Sequence, residues 1–231
     1  GNVEWRRYHG GSNNDRSYDV VQADDGGFVI VGTTESNDVD VSLNQGEYDI
    51  WVIKLNTEGT LLWSKTYGGS GIDGSNGVIK TQNGNYLIVG NTFSKNGDIS
   101  TNYGASDVWV ISINDQGDLL WEKTYGGSEF DLGSGITEGP DNTAFVIGNS
   151  KSADIDLKQN QGQNDAWVFQ INALNGQLLW EHSFGGTGID LGYNAIFSAS
   201  KSLFVVGEST SSDGDIFSNR GDKDLLIARF Q

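Results

Sequence analysis

The sequence predicts an all-β protein, a single four-bladed β-propeller over residues 1–231, from three observations. One repeat recurs every 58 or 59 residues and is marked by Trp5, Trp63, Trp121 and Trp180. Each copy contains four short runs of strand-forming residues and no helical period, which is typical of one four-stranded antiparallel blade. Residues 2–9 match the fourth run of a copy, whereas the last copy has only three runs. A strict period of this length predicts a fold built from repeated units.

The second copy shows the four predicted strands of a blade. They are residues 77–81, 85–93, 107–114 and 119–126, which are rich in the β-branched and aromatic residues that favour strands. QNGN separates the first two runs and NDQGD separates the last two. Both are short glycine-containing turns of hairpin length, so consecutive strands are expected to pair antiparallel.

Residues 2–9 are expected to close the ring as an N-terminal strand. They match a fourth strand, whereas residues 224–231 match a third strand. The first segment is therefore predicted to complete the last blade. Closure of this kind removes a free sheet edge, which would otherwise favour aggregation.

The tryptophans are expected to pack one blade against the next. Besides the four that mark the repeat, three share a position on the third strand, which Leu226 occupies in the last copy: Trp51, Trp109 and Trp167. Because every copy has these large residues, core packing is favoured over a role in binding a ligand. Each second strand also has an internal glycine, at Gly32, Gly90, Gly148 or Gly207. A glycine inside a strand indicates that another group approaches closely.

The composition excludes several classes of function. The formal net charge is -17, and the five arginines and nine lysines are scattered along the chain. Phosphate binding needs clustered basic residues, so a nucleic-acid partner is not expected. There is no cysteine, which excludes disulfides and thiolate metal sites. No apolar run reaches the roughly 18 residues of a membrane-spanning helix, and none is expected.

Most aspartates are predicted to lie on one face of the propeller, called here the acidic face. The loop before each first strand has the pattern GGSxxD, or GGTxxD in the last copy. The loop between each second and third strand has the pattern S-x-[DN]-x-D-[IVL]-x-x-N-x-G-x-x-D, with some variation. These two loops share one end of a blade, so a local function is expected there.

The longer loops have oxygen-bearing side chains at spacings that resemble a calcium-binding loop. Two interpretations stay open: the side chains bind Ca²⁺, or they bond the amides of their own loop. No EF-hand is predicted, because the turn glycine, the closing glutamate and the flanking helices are missing. The candidate metal ligands are Asp38, Asp40, Asn44, Asp98, Asn102, Asp154, Asp156, Asn160, Asp213, Asp215 and Asn219.

Two sets of residues are candidates for binding a ligand on the acidic face. One set is repeated in every copy and is expected at the mouth of the central channel, where it either binds a ligand or cation or caps the Gly-Gly turn: Asp15, Asp73, Asp131 and Asp190. The other set differs between copies, and a specific site usually breaks the repeat symmetry. It comprises Tyr18, Tyr48, Tyr103, Tyr193 and Arg220, which suit contacts with a sugar or a peptide.

The sequence offers little for catalysis. His9 occupies a position held by an aromatic residue in the other copies, and His182 lies on an outer strand. No Ser-His-Asp set can be assembled from them. Pairs of aspartates are numerous, so a glycosidase-like pair of carboxylates stays an alternative.

The combined pattern GGSxxD…GxTxSxxGD…GxxDxWVxKxxxxGxxxWxKxxGG resembles the propeller repeats of secreted and surface proteins of Bacteroidetes-type bacteria. The resemblance covers essentially the whole chain and implies a secreted, cell-surface or periplasmic location with an adhesive role. NDQGDLLW also resembles the tryptophan motif of quinoprotein propellers, but the cofactor residues of that family are absent.

We therefore predict a non-enzymatic extracellular binding, adhesion or scaffold module. Its ligand would be a glycan or a surface protein, and the chain is expected to be monomeric. A carbohydrate-active enzyme that uses aspartates of the acidic face is one alternative, and a purely structural spacer is the other. Calcium is the one cofactor that the sequence suggests.

Overall fold

A computed structural model describes all 231 residues and contains fifteen β-strands in four antiparallel sheets. Sheet I consists of β1 (Asp15–Gln22), β2 (Phe28–Thr34), β3 (Asp49–Leu55) and β4 (Leu61–Tyr67). Sheet II consists of β5 (Asp73–Lys80), β6 (Tyr86–Thr92), β7 (Asp107–Ile113) and β8 (Leu119–Tyr125). Sheet III consists of β9 (Asp131–Glu138), β10 (Thr143–Ser150), β11 (Asp165–Asn172) and β12 (Leu178–Phe184). Sheet IV has only β13 (Asp190–Phe197), β14 (Leu203–Ser209) and β15 (Asp224–Phe230).

The all-β prediction and the four repeated sheets are confirmed. Strands within each sheet are paired in chain order, so each sheet is an antiparallel meander. The third strand of a sheet is buried along its length in β3 and β7, whereas the outer strand β4 is mostly half-buried or exposed. A strand becomes buried on both faces when a further layer covers each side of its sheet. The chain forms no helix that could span a membrane.

Apolar side chains join each sheet to the next in three seams. In the first seam Val31 and Val52 of sheet I pack with Ile88 and Trp109 of sheet II, all fully buried. The second seam joins the other face of sheet II to sheet III, and the third joins sheet III to sheet IV. Alternate residues of each strand thus serve two different seams, as the period of two in a strand requires.

Four of the tryptophans pack at these seams, Trp63 and Trp109 at the first and Trp121 and Trp167 at the second. Trp109 and Trp167 have no exposed surface, whereas Trp51, 6% exposed, packs in a separate apolar cluster on the other face of sheet I. On the outer strands, the Trp63 indole donates to the carbonyl oxygen of Asp115 in the next sheet at 3.0 Å. The packing interpretation of the sequence therefore agrees with the position of these residues.

The internal glycines lie against a bulge in the innermost strand. Gly90 on β6 is opposite Ser75, and the ladder then skips Asn76 before resuming at Gly77. A β-carbon on Gly90 would collide with the carbonyl of Gly74. The glycine is required because the bulge pushes the neighbouring backbone toward β6.

The predicted closure of the ring by residues 2–9 is not seen. These residues form no strand, sheet IV has three strands, and no strand of sheet IV pairs with sheet I. The inner strands β1, β5, β9 and β13 pack in sequence, but no comparable contact joins β13 to β1. Instead, residues 2–9 lie against sheet I, where the Trp5 indole donates to the carbonyl oxygen of Thr57 at 3.1 Å. Residues 2–9 resemble the fourth strand of a repeat in sequence, but they form no backbone hydrogen bonds with β15.

Candidate binding face

The aspartate that begins each inner strand caps the Gly-Gly turn before it. In sheet II, Asp73 accepts hydrogen bonds from the Gly69 amide at 2.7 Å, the Thr92 hydroxyl at 2.5 Å and the Ser94 hydroxyl at 2.7 Å. Corresponding amide and hydroxyl partners surround the other three members of the set, Asp15, Asp131 and Asp190. Asp73, Asp131 and Asp190 are fully buried. Their oxygens are therefore engaged in capping the turn of their own repeat.

The loop aspartates predicted as metal ligands also bond backbone amides. The Asp98 carboxylate accepts from the Gly68 amide at 3.0 Å, and its counterparts on the same kind of glycine are Asp40, Asp156 and Asp215. A second group accepts from the residue after the Gly-Gly pair at 2.8 or 2.9 Å: Asp38, Asp154 and Asp213. These contacts tie each long loop to the Gly-Gly turn of its own repeat.

The loop asparagines bridge the same loop. The Asn102 side chain donates to the carbonyl oxygens of Thr92 and Ser94 and accepts from the Gly104 amide at 3.1 Å. Equivalent bonds are made by Asn44, Asn160 and Asn219. No group of three or more acidic or histidine side chains is arranged closely enough to hold a metal ion. The calcium site stays a prediction from spacing, which a titration can test.

Three buried carboxyls were missed as site candidates, although they end the loop pattern noted in the sequence. Asp49, Asp107 and Asp165 each begin a third strand and have no exposed surface. One oxygen of Asp107 accepts from the Tyr103 amide at 2.6 Å, whereas Oδ1 of all three has no hydrogen-bond partner. Burial, with smaller contributions from neighbouring carboxylates, raises the pKa of each to about 6.

Each of these carboxyls lies next to a turn-capping aspartate of the following sheet. At Gly126, a β-carbon would lie 2.8 Å from Oδ1 of Asp107 and 2.6 Å from Oδ2 of Asp131. The same convergence occurs at Gly185, with 2.7 Å to Asp165 and 2.6 Å to Asp190. Glycine is therefore the residue that lets two carboxyls approach across a seam.

The residues that break the repeat symmetry lie mainly on the first and last sheets. The register of each inner strand shifts around one residue, so that Tyr18, Asn76, Ser134 and Tyr193 stand outside the ladder. Tyr18 is 50% exposed and Tyr193 is 46% exposed. The Asn76 amide instead donates to the carbonyl oxygen of Gly133 at 2.6 Å. Exposed aromatic side chains at the bulge thus occur only at the two ends of the stack.

Polar partners surround both tyrosines. On sheet I, the Tyr18 hydroxyl beside Arg16 raises the pKa of that guanidinium, and the Glu35 carboxylate beside Tyr48 raises the pKa of the Tyr48 hydroxyl. Tyr48 is half-buried. On sheet IV, Tyr193 adjoins Glu208, whose carboxylate is 2.5 Å from the Lys223 ammonium.

Tyr103 and Arg220 occupy a loop position whose side chain, in the other two sheets, forms a hydrogen bond across the seam to the next sheet. Gln45 and Gln161 hold this position in sheets I and III, and their side-chain amides donate to Asp98 at 2.9 Å and to Asp215 at 2.5 Å. Tyr103, 43% exposed, lines a cavity of about 280 Å³ together with Asp156. Arg220 is exposed and forms no ion pair.

The histidines do not form a catalytic arrangement. His9 Nδ1 is 3.4 Å from Oδ2 of Asp40, and its Nε2 is buried without a partner. His182 stacks between aromatic rings, with its centroid 6.1 Å from that of Trp180 and 6.3 Å from that of Phe184. Neither lies in a serine-containing triad, and His182 has the packing role expected of an aromatic residue.

Comparison with known proteins found matches among solved structures only. No family model matches the sequence, and no curated protein matches it. A solved protein of unknown function from Dyadobacter fermentans is 12% identical, over 84% of this chain and 56% of that one, with a TM-score of 0.49. A GH43 β-xylosidase/α-arabinofuranosidase from a compost metagenome is 9% identical, over 95% and 71%, with a TM-score of 0.44. An endo-1,5-α-L-arabinanase from Thermotoga petrophila is 13% identical, over 91% and 56%, with a TM-score of 0.46.

These similarities are too low to assign an activity to this chain. The chain spans 56% of the length of the Dyadobacter fermentans protein. The class that the fold and the face define is an all-β repeat protein of four antiparallel sheets with an acidic loop face.

Proposed function

We propose that this protein is a non-enzymatic binding module whose ligand is a glycan. One observation carries the proposal: the exposed aromatic side chains at the bulge positions are tyrosines with polar neighbours. The repeated carboxylates of the same face already accept hydrogen bonds from the protein's own amides and hydroxyls. Tyrosine combines an apolar ring with a hydroxyl, which suits the apolar faces and hydroxyl groups of a sugar. Tyr18 and Tyr193 are the central contacts, and Tyr48, Tyr103 and Arg220 extend the surface.

The geometry supports binding over glycoside cleavage. A glycosidase needs two carboxyl groups facing one bond, about 5–9.5 Å apart and reachable by the substrate. The paired aspartates of this chain, such as Asp107 and Asp131, are fully buried at a seam. The carbohydrate-active enzyme predicted as an alternative would therefore have to use other acids of the face.

We also propose an exported protein at the cell surface or in the periplasm, whose ring is completed through residues 2–9. The resemblance of the repeat to surface-protein propellers supports the location. The position of Trp5 supports completion of the ring. Trp5 contacts the β3–β4 turn of sheet I as Trp63, on the outer strand of sheet I, contacts the corresponding turn of sheet II.

A glycan array followed by calorimetry tests the binding proposal. We expect the parent to bind a defined glycan class and Tyr18→Ala and Tyr193→Ala to weaken binding about tenfold or more, a loss of roughly 1.4 kcal/mol each. Leu62→Ala is the matched control, because Leu62 is 53% exposed on an outer strand. Unchanged affinity in both tyrosine variants would refute the site. Shortened glycan products after incubation would establish the enzyme alternative.

A further inference from the structure

The long loop of sheet II differs from the other three long loops at one position. There Oδ1 of Asn96 accepts a hydrogen bond from the Ser70 amide at 2.9 Å. The other loops use an aspartate for the same bond: Asp38, Asp154 and Asp213. Asn96 is exposed and is followed by Gly97. The loop of sheet II therefore has one carboxylate fewer at this position and an Asn-Gly sequence in its place.

An asparagine that is followed by glycine can lose its side-chain amide without an enzyme. The backbone nitrogen of the glycine attacks the side-chain Cγ, a five-membered imide forms, and the side-chain nitrogen leaves as ammonia. Glycine favours this step because it has no β-carbon to shield its nitrogen. Water then opens the imide at one of its two carbonyls, which gives aspartate or isoaspartate. One amide and one water thus become one carboxyl and one ammonia, and nothing is oxidised or reduced.

The structure distinguishes between the Asn-Gly sequences of the chain, which begin at Asn76, Asn83, Asn96 and Asn175. In two hairpins the glycine amide is already hydrogen-bonded. The Gly84 amide donates to the carbonyl oxygen of Thr81 at 2.9 Å. The Gly176 amide donates to the carbonyl oxygen of Asn172 at 2.8 Å. The Gly97 amide, in contrast, donates to no acceptor, and Gly97 is exposed. Its nitrogen is therefore free to attack.

Asn76 is held by the fold in a different way. Its side-chain nitrogen donates to the carbonyl oxygen of Gly133 across a seam at 2.6 Å. The following Gly77 is buried in β5 and pairs with Val89 of β6. Closing the imide would break both the bond across the seam and the strand pairing. Asn96 is therefore the Asn-Gly asparagine that the fold leaves open to this reaction.

The Ser70 amide also favours the reaction at Asn96. Negative charge develops on Oδ1 when the Gly97 nitrogen adds to Cγ. A backbone N–H aimed at the atom where charge develops lowers the barrier, as in an oxyanion hole. The Ser70 amide lies 2.9 Å from this oxygen. The bond is the only hydrogen bond of the Asn96 side chain, so the nitrogen that leaves as ammonia is not held.

We propose that Asn96 is a self-modification site, at which the folded protein converts asparagine to aspartate through the Gly97 nitrogen. The product fits the loop, because the other three repeats place an aspartate on the corresponding amide at 2.8 or 2.9 Å. A carboxylate accepts this bond more strongly than a neutral amide does. The reaction gives the loop of sheet II the carboxylate that its counterparts have, and it needs no ligand.

Peptide mass spectrometry after incubation in oxygen-18-labelled water tests the proposal. The folded parent is kept at pH 8, and samples are digested at intervals. We expect the peptide with Asn96 to gain the mass of an amide-to-acid conversion together with the label. Asn83 and Asn175 should react about fivefold more slowly or less, the factor that corresponds to first breaking one backbone hydrogen bond. Equal rates at the three sites, or an unchanged Asn96, would overturn the proposal.

The same measurement in urea shows whether the fold causes the preference. Unfolding removes the bonds of the Gly84 and Gly176 amides and the contact between Ser70 and Asn96. All four Asn-Gly sequences should then react at similar rates. If the preference for Asn96 persists in the unfolded chain, its neighbours in sequence cause it and the structural argument is wrong.

Two variants complete the test. Asn96→Gln is the matched control, because the longer side chain would have to close a six-membered ring, which forms more slowly. It should take up no label at this position and leave the rates at Asn83 and Asn175 unchanged. Label at the glutamine would show direct hydrolysis without the Gly97 nitrogen and refute the mechanism. Asn96→Asp should unfold at the same or a higher urea concentration than the parent, and a lower one would contradict the fit of the product.

Discussion

At the scale of single residues, the buried carboxyls of Asp49, Asp107 and Asp165 make stability depend on pH. Their folded pKa is about 6, whereas an unfolded aspartate has a pKa of 3.8. The folded state therefore binds protons more tightly than the unfolded state between these values. Stability is reduced above pH 6, where the buried groups ionise, and it rises as pH falls toward 5.

We expect the melting temperature to be higher at pH 5 than at pH 7.5. Each site contributes on the order of 1 kcal/mol, allowing for solvent screening. Asp107→Asn should remove part of the difference, because the amide does not ionise. Asp154→Asn, on an exposed loop of the same face, is the control. A melting temperature that falls steadily from pH 7.5 to 5 would contradict this explanation.

The turn caps have a larger expected effect than the loop acids. Asp131 accepts from the Gly127 amide at 2.7 Å and from the hydroxyls of Ser150 and Ser152, all in a buried site. Asp131→Ala leaves these donors without a partner, which should reduce the free energy of unfolding by about 3 kcal/mol. Urea denaturation measures the loss. Asp154→Ala should cost less than a third as much, and equal losses would argue against specific capping.

At the scale of elements, the strands were largely predictable. The predicted second, third and fourth strands of the second copy, residues 85–93, 107–114 and 119–126, coincide with β6, β7 and β8 to within one or two residues. The first strand starts at Asp73, four residues before the predicted start at Gly77. Asp73–Asn76 lacks β-branched and aromatic residues, so local propensity indicates a loop. The pairing with β6 and the cap on Gly69 determine its strand conformation instead.

The candidate site was less predictable than the strands. The repeat pattern indicated the loop aspartates and the departures from it indicated the tyrosines, but neither separated exposed groups from buried ones. Asp98 lies in the loop that precedes β7 and Asp107 begins that strand, yet only Asp107 is fully buried. The difference depends on which sheet packs across the seam, and no local pattern contains that information.

The segment of residues 2–9 contributes to stability without forming a strand. Its Trp5 ring packs against Gly59, as the Trp63 ring packs against Gly117. Deleting residues 1–9 should therefore reduce the free energy of unfolding by about 2 kcal/mol or more, because Trp51 and its apolar neighbours become exposed. Deleting residues 1–2 alone is the control. Calorimetry that finds the two deletions equally stable would show that the Trp5 contact contributes nothing.

At the scale of the whole molecule, the acidic face dominates the response to ions. The net charge is -17, and neighbouring loop acids lie within the roughly 8 Å over which charges interact at physiological salt. Backbone amides already donate hydrogen bonds to the side-chain oxygens of Asp38, Asp98 and Asn102. We therefore expect salt to stabilise the protein modestly, and calcium to have no larger effect than magnesium at equal ionic strength. Melting temperatures in EDTA, calcium and magnesium measure this response.

A calcium-specific effect would reverse that expectation. One site at 100 times its dissociation constant would add about 2.7 kcal/mol. If the parent gains this much with calcium but not with magnesium, and Asp98→Asn loses the gain, the loops bind the ion. Glu58→Gln, in an exposed hairpin between β3 and β4, is the control and should keep the full gain with calcium.

The bulge in each inner strand also has a consequence for how such a protein can diversify. The ladder omits one residue per sheet, at Tyr18, Asn76, Ser134 and Tyr193. A change at such a position breaks no pairing between strands, so these positions can vary while the fold is inherited intact. Descendants of one duplicated repeat can thereby acquire different recognition surfaces by substituting one residue per copy.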